Sequence, residues 1–318
     1  MIKSVNQLVT QRCNSKCEMC GIWREKSGEE MNPEEFGRLY SHKEFGGVED
    51  LCISGGEPTL RKDLVEVTDR IVSHLPLLRM LFLSTNASNP NMVKYFMKRY
   101  SPLVKDIYVC PSLEGDKEIH KKVRGVDTYD RVIETIKKVK SLGLDNSHIV
   151  LSTTLTPDNC NQDSLNHIRE IAEHFGCTYS FRPSTKSETF YHNTHCNDVS
   201  LSIEQINFLR KYMEENRIGD PFLDILFGSL DGEKTIMGDR KTGIECLAGD
   251  ISVFIKSDGI IYPCINSIRI IGNKEKGVYV TDYFLGDKED CPCCTECQIY
   301  PMLNFNQYAS RKNKNVRD

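Results

Sequence analysis

The chain has 318 residues, 39% of them hydrophobic, and a formal net charge of −4. That is enough apolar material for one large domain plus a small one, and the slightly acidic balance excludes a general nucleic-acid binder. No apolar run reaches the ~18 residues of a membrane span, and the first twenty residues lack the apolar stretch and cleavage site of a signal peptide. The expectation is therefore a cytoplasmic protein with no membrane partner.

Strand-like and helix-like segments alternate from residue 4 to about residue 182. The strands expected are Ser4–Thr10, Asp50–Ser54, Arg79–Ser84, Asp106–Ser112, His148–Leu155 and Cys177–Arg182. Most are short continuous apolar runs, as in a parallel sheet covered on both faces. Between them, helical patterns cover Pro33–Ser41 (with Asn32 as N-cap), Leu64–His74, Asn91–Arg99, Thr128–Leu142 and Gln162–Phe175. Gly143 and Gly176 sit just past two of these helices, where a left-handed terminating residue belongs. Six βα units in a row imply right-handed crossovers but are too few for a closed eight-stranded barrel. The reading is an α/β fold, an open partial (β/α)6 barrel with ligands at the C-terminal strand ends.

The rhythm breaks after Arg182. Residues 183–200 read as a long polar loop, which in a compact domain is often functional. A helix follows at Ser202–Asn216, then irregular sequence. Ser252–Lys256 and Ile260–Pro263 flank Ser257-Asp258-Gly259, a hairpin signal. The expected division is a core over 1–216, a small unit over 217–300 and a polar, basic tail over 301–318, frayed rather than a binding arm.

Fourteen cysteines in a reducing compartment argue for metal or redox use rather than disulfides. Nine fall in two groups: Cys13, Cys17 and Cys20 near the start, then Cys246, Cys264, Cys291, Cys293, Cys294 and Cys297. Of the scattered five, Cys52 and Cys110 lie in apolar strand-like runs and read as buried core. Cys13, Cys17 and Cys20 form a CxxxCxxC loop directly after the first strand. Three thiolates are one short of a closed zinc site or a four-cysteine iron–sulfur cluster, so one iron of a cluster held there is open to another ligand. The competing reading is a zinc knuckle that borrows a distant ligand.

Arg12 through Cys20, with bulky Met19 before the last cysteine, resembles the cluster loop of the radical S-adenosylmethionine (SAM) superfamily. The resemblance implies a [4Fe–4S] cluster on Cys13, Cys17 and Cys20. Its free iron would chelate SAM, and SAM would be cleaved to methionine and a 5′-deoxyadenosyl radical that abstracts a substrate hydrogen. Ser54-Gly55-Gly56-Glu57-Pro58, after the second strand, is similar to that family's GGEP segment. It implies Gly55, Gly56 and Glu57 around the SAM amino group, the glycines letting backbone approach a ligand. By the same likeness Asn86 lies close to SAM, Ser112 contacts its ribose and Arg124 its carboxylate, a group that suits a guanidinium. The family more often has Asp where Glu114 stands. His120 reads equally as a local structural residue, and residues 152–154 as neighbours of the adenine.

Cys246, Gly259 and Cys264 resemble the hairpin of the SPASM and twitch auxiliary-cluster domains. A full SPASM series is longer than CxCCxxC, so one auxiliary [4Fe–4S] cluster is expected. Its ligands would be Cys246, Cys264, Cys294 and Cys297, with Cys291 and Cys293 as alternates; a zinc ribbon is the competing reading. The resemblance implies a radical SAM oxidoreductase that dehydrogenates or cross-links a small polar metabolite or a peptide and draws electrons from a donor such as flavodoxin or ferredoxin. A redox-neutral epimerase or lyase, with Cys196 as hydrogen donor, is the alternative, and an iron–sulfur or zinc interaction module the non-enzymatic one. Candidate bases are His192, His195, Asp198, Asp224 and Asp231. Peptide-maturing relatives often carry an N-terminal leader-recognition domain; the chain starts at strand one, which weighs against a leader-guided substrate.

Overall fold

A computed structural model describes residues 1–25, 28–195, 199–219 and 248–278. Six strands follow in chain order: β1 (Ser4–Leu8), β2 (Asp50–Ser54), β3 (Met80–Thr85), β4 (Asp106–Pro111), β5 (Val150–Leu155) and β6 (Thr178–Pro183). β1 to β4 pair in parallel, and β5 pairs in parallel with β6. Two parallel bridges, Val109 with Ile149 and Ser112 with Ser152, join the two sets. No pairing between β6 and β1 closes the arc among the described residues. The free edge of β1 instead carries β7 (Ser252–Ile255) in parallel. The expected hairpin then forms, β7 pairing antiparallel with β8 (Ile261–Tyr262). Two further short strands, β9 (Gly272–Asn273) and β10 (Gly277–Val278), extend the sheet and were not foreseen.

The connecting helices are α1 (Pro33–Tyr40), α2 (Leu64–Val72), α3 (Pro90–Tyr100), α4 (Lys117–Arg124), α5 (Tyr129–Lys140), α6 (Gln162–Phe175) and α7 (Ile203–Glu215). Local chemistry explains their ends. Asn32 and Glu35 form a reciprocal capping box on α1, with Pro33 at its first turn, and Ser202 and Gln205 do the same on α7. α6 ends on Gly176 and α4 on Gly125, both left-handed. α4 is the helix the sequence reading missed. It is short and strongly polar, yet Asp116 caps it by accepting from the Ile119 N–H at 2.9 Å.

Strand alternation decides what faces what. Val5, Leu51, Ile53, Leu81, Leu83, Val109 and Leu151 are fully buried and pack in one continuous core with the helices. Burying each such side chain contributes about 1.5–3 kcal/mol. The intervening residues form the other, inner face: Asn6, Cys52, Phe82 and Tyr108 lie in register across β1 to β4. Phe82 and Tyr108 stack at 4.8 Å. A sheet covered on both faces was expected; the inner face is less covered than the outer one, with Asn6, Cys52, Phe82 and Tyr108 only half-buried. The placement of Cys52 and Cys110 is corrected as well. Both are half-buried on the inner side rather than in the helix-packed core, because a period of two puts them opposite Leu51 and Val109.

Candidate cofactor site

The loop 13–20 leaves the C-terminal end of β1, where ligands bind in parallel α/β sheets. Three neighbours hold it. On one side the Asn86 amide donates to Asn14 Oδ1 at 2.7 Å and Ser15 Oγ at 2.9 Å. On the second, the Lys16 N–H donates to the Arg124 carbonyl at the end of α4, 2.9 Å. On the third, Asn193 donates to the Met19 carbonyl at 2.8 Å, and the Gly21 N–H donates to the Tyr191 carbonyl at 2.6 Å.

The three thiols lie together in this frame, Cys17 buried and Cys13 and Cys20 half-buried. Burial pushes Cys13 and Cys17 above the ordinary thiol range and Cys20 up to about 12, while the nearby Arg124 guanidinium works the other way. Such thiols lose their protons most readily to a metal, which stabilises the thiolate. The Ser15 N–H donates to Cys13 Sγ at 3.4 Å, a contact that suits an anionic sulfur. Among the described residues, no three His, Cys, Asp or Glu side chains converge on one metal-ion position.

Gly55 and Gly56 follow β2. A Cβ on Gly55 would stand 2.7 Å from the Thr10 carbonyl oxygen, and one on Gly56 would overlap that of Arg12. The segment runs hydrogen-bonded beside residues 10–12, Gly56 N–H to Thr10 O and Glu57 N–H to Arg12 O, both 2.8 Å. The close approach that requires the glycines is therefore to the chain's own cluster loop. Glu57 is fully buried, and its carboxylate accepts from the Thr59 N–H (3.0 Å), Thr59 Oγ1 (2.6 Å), Thr85 Oγ1 (2.8 Å) and the Asn86 N–H (2.6 Å). Three of these donors meet Oε1 and only the Asn86 N–H meets Oε2, so Oε2 keeps capacity for one more donor. Glu57 thus fixes the loop after β2 to the end of β3, and Asn86 carries that fixation to Asn14 and Ser15. The Asn86 amide is wholly committed to the protein, and Glu57 is committed except for the second lone pair of Oε2.

Ser112 and Arg124 differ. Ser112 is half-buried at the end of β4, its hydroxyl 3.4 Å from the Thr85 carbonyl, a weak contact that leaves it able to serve a ligand. Arg124 Nη1 donates to Glu114 Oε1 at 3.3 Å, the carboxylate fully buried and the guanidinium nearly so. Its buried Nε has no partner. An unpaired donor on a buried cation is costly, and an incoming carboxylate would satisfy it. The other oxygen of Glu114 accepts from the Thr154 N–H at 2.9 Å. Sequence reasoning did not find this ion pair, since it did not foresee α4, the helix that carries Arg124 back to Glu114.

Desolvation raises the Glu114 carboxyl to about 7, against the opposing pull of Arg124. Its folded-state affinity for protons exceeds the unfolded one, so this group's stability contribution is complete below about pH 4.5 and is lost as the pH rises through 7. Thermal melting of Glu114→Gln between pH 5 and 8 should lack this downward limb; an unchanged pH slope would count against it. His120 is buried, its Nδ1 accepting from the Glu114 N–H at 3.3 Å and its Nε2 3.0 Å from Thr128 Oγ1. Burial, aided by Arg124, pulls it down to about 3. It is a neutral structural residue that orients the Glu114 turn.

Within the expected 183–200 loop, residues 187–193 form a strap anchored by buried polar side chains. Asn193, Ser187 and Thr189 are buried and bonded, and the Phe190 ring stands 5.4 Å edge-on to Phe254. His192 is half-buried with a φ of +49°, its buried Nε2 unpartnered, and burial lowers its pKa. His195 is exposed. Cys264 is buried on the inner side, in an apolar cluster with Leu8, Ile22, Phe254 and Tyr262 that Cys13 and Cys20 pack against. Cys196, Asp198, Asp224, Asp231, Cys246, Cys291, Cys293, Cys294 and Cys297 lie outside the described residues.

One glycine outside the expected motifs is decisive. A Cβ at Gly21 would overlap the His192 carbonyl oxygen. Gly21→Ala should therefore push the strap off the loop and lower stability by about 1–3 kcal/mol, read as a fall in the urea midpoint; an unchanged midpoint would refute the contact.

The residues fit a cluster with SAM: three thiols in one loop, a sulfur-directed N–H, and an unsatisfied guanidinium beside them. The comparisons agree. The profile of the radical SAM superfamily matches residues 8–171. A probable GTP 3′,8-cyclase of Thermoplasma volcanium is 29% identical over 133 residues, 42% of this chain and 39% of that protein, so the chain spans about two fifths of that relative's length. One from Methanococcus maripaludis is 23% identical over 300 residues, covering 89% of this chain and 93% of its own. Among solved structures, Streptococcus suis SuiB bound to its precursor peptide SuiA aligns with a TM-score of 0.64 at 16% identity, over 94% of this chain and 67% of that one. The protein anSMEcpe with bound AdoMet aligns at 0.61 and 18%, over 86% and 78%. Those likenesses speak to fold alone. With the profile spanning more than half of its length, the chain belongs to the radical SAM superfamily.

Proposed function

We propose that the chain is a radical SAM oxidoreductase that uses one auxiliary [4Fe–4S] cluster to oxidise a small polar metabolite or a peptide. When bound, the cofactors supply one-electron reductive cleavage of SAM and removal of a hydrogen atom from the substrate. Cys13, Cys17 and Cys20 hold the SAM-binding cluster. Arg124 Nε takes the SAM carboxylate, Ser112 its ribose, and the backbone at Gly55 and Gly56 its ammonium group, with Glu57 and Asn86 fixing that backbone. Cys264 and Cys246 are two ligands of the auxiliary cluster, completed by Cys294 and Cys297, with Cys291 and Cys293 as the alternates to these last two. Among the candidate bases, the unpartnered buried nitrogen of His192 favours it over exposed His195. The protein works in the cytoplasm with a flavodoxin- or ferredoxin-like donor.

The observation that carries this reading is Cys264, only 3% exposed and packed in the same apolar cluster that Cys13 and Cys20 touch. A second reading is cyclisation of a purine nucleotide, favoured by the match along nearly the whole length of the Methanococcus protein. Anaerobic, dithionite-reduced protein with SAM should form 5′-deoxyadenosine and hold about eight iron atoms per chain, two four-iron clusters. Stimulation by GTP, with a cyclised product of unchanged oxidation level, would favour the second reading. Iron near four would remove the auxiliary cluster, and no 5′-deoxyadenosine with intact clusters would defeat both readings.

A further inference from the structure

The strap 187–193 touches both cysteine-bearing segments at once. At one end Asn193, 1% exposed, donates to the Met19 carbonyl at 2.8 Å and to the Thr185 carbonyl at 2.7 Å, and accepts from the Ser187 N–H at 2.8 Å. Its amide group is thereby committed on both sides. Beside it the Tyr191 carbonyl accepts from the Gly21 N–H and lies 3.8 Å from Cys20 Sγ. At the other end Ser187 Oγ donates to the Ile265 carbonyl, and Thr189 Oγ1 donates to the Ser267 carbonyl at 2.7 Å. Those carbonyls belong to the turn that follows Cys264, whose own carbonyl accepts from the Ser267 N–H. Between the two ends, Phe190 packs on Tyr191 at 4.6 Å and on Phe254 at 5.4 Å.

Segments far apart in sequence, 19–21 and 264–267, are thus tied through a third. The strap holds a non-glycine residue, His192, at φ +49° to press its carbonyl against Gly21. Such strain persists only where the surroundings over-determine it. The loop 13–20 has few bonds of its own on this side, the Cys20 N–H reaching the Cys17 carbonyl at a long 3.3 Å. The position of Cys20 is therefore set from outside, by the strap and by whatever anchors the strap.

We propose that Ser187, Thr189 and Asn193 are positioning residues that couple the Cys264 turn to Cys20, so that the order of the distal turn fixes the third ligand of the SAM-binding cluster. None of the hydrogen bonds of the Thr189 and Ser187 hydroxyls reaches loop 13–20, yet removing those hydroxyls slackens the strap and loosens Cys20. The coupling rests on the cluster at Cys13, Cys17 and Cys20; only its link to an auxiliary cluster rests on the reading of Cys264 as a ligand.

The test uses the full-length, anaerobically reconstituted protein and two readouts other than turnover: the rate at which a chelator strips iron from the SAM-binding cluster, and that cluster's reduced EPR spectrum with and without SAM. Thr189→Val keeps the side chain's shape and removes one hydroxyl. It and Ser187→Ala should each speed stripping roughly three- to tenfold, the range of one hydrogen bond, and alter the EPR shift produced by SAM. Asn193→Ala should do the same more strongly. Thr135→Val removes a comparably buried hydroxyl, bonded to the Ala87 carbonyl away from the strap, and should change neither readout. In a Cys264→Ala background the effect of Thr189→Val should shrink, as expected of coupled sites in a double-mutant cycle. A folded Thr189→Val protein with wild-type stripping and EPR would overturn the inference, as would an effect of Thr135→Val of equal size. If Cys264→Ala leaves iron per chain unchanged, the ligand reading of Cys264 fails, and Thr189→Val by itself still decides the coupling.

Discussion

Cys17→Ala should abolish SAM cleavage while leaving the fold intact. Cys17 packs in a small satellite cluster with Met19 and Val123, outside the main core, so losing its sulfur costs little packing. The ligand set is affected far more. Two thiols with one open neighbour cannot retain a four-iron cluster whose remaining iron must bind SAM. The iron content should fall by about four atoms per chain, and SAM-dependent 5′-deoxyadenosine should drop to background. The far-ultraviolet circular dichroism should stay that of the wild type. Retained cleavage would mean that the three-cysteine loop is not the site. Cys13→Ala and Cys20→Ala should behave alike, whereas Cys52→Ala and Cys110→Ala, on the inner wall, should keep the full iron complement.

Glu57→Ala should be the most destabilising single change at the site. The carboxylate is wholly buried, and its removal leaves four donors, two backbone N–H groups and two threonine hydroxyls, without their acceptor. Each buried unsatisfied group costs about 1–3 kcal/mol, and relaxation keeps the total below the sum. A loss on the order of 4 kcal/mol is expected, at the upper end of single substitutions. That is a large share of a stability that is ordinarily about 5–15 kcal/mol. The urea midpoint reads it. Glu57→Gln should lie between, since its amide keeps one acceptor oxygen and turns an N–H against at least one donor. Chelator stripping of the cluster should also speed up in both variants, because Glu57 acts through Asn86 on Asn14 and Ser15. A midpoint within about 1 kcal/mol of the wild type would show that Glu57 does not hold the loop.

Much of the site was legible because its chemistry is local in sequence. Cys13, Cys17 and Cys20 share one loop, Gly55 to Pro58 another, and strand periodicity located β2 to within a residue and the other strands to within two. The hairpin around Gly259 was readable too, since a left-handed glycine (φ +85°) between two apolar runs is a local signal. α4 was missed for the converse reason. It carries few apolar residues, so no periodicity announces it, and its place is set by the Asp116 cap and by Gly125 closing on the Lys16 carbonyl.

Roles were less legible than positions. Gly55 and Gly56 were read as letting backbone approach a ligand; the close approach seen at their Cα atoms is to residues 10–12. Glu57 and Asn86 were read as lying close to SAM; the Asn86 amide and most of the Glu57 acceptor sites are bonded to the protein. Arg124 was expected to meet a carboxylate. The protein supplies one, Glu114, and leaves Nε for another. Asn193 had no sequence signal at all, because an asparagine in a polar stretch looks like any loop residue until its partners, 174 positions away in the case of Met19, are known.

The sequence by itself determined the thiol set, the βα alternation and therefore the kind of cofactor the strand ends receive, since each depends on residues within a turn or two of one another. Only the tertiary structure decided which polar atoms remain free. A hydrogen bond is an exclusive pairing, and whether Glu57, Asn86 or Arg124 has capacity left depends on donors and acceptors that distant segments bring. It also decided that Cys20 is placed by segments distant in sequence, because the strap that fixes it gains its order from long-range contacts that no local pattern encodes.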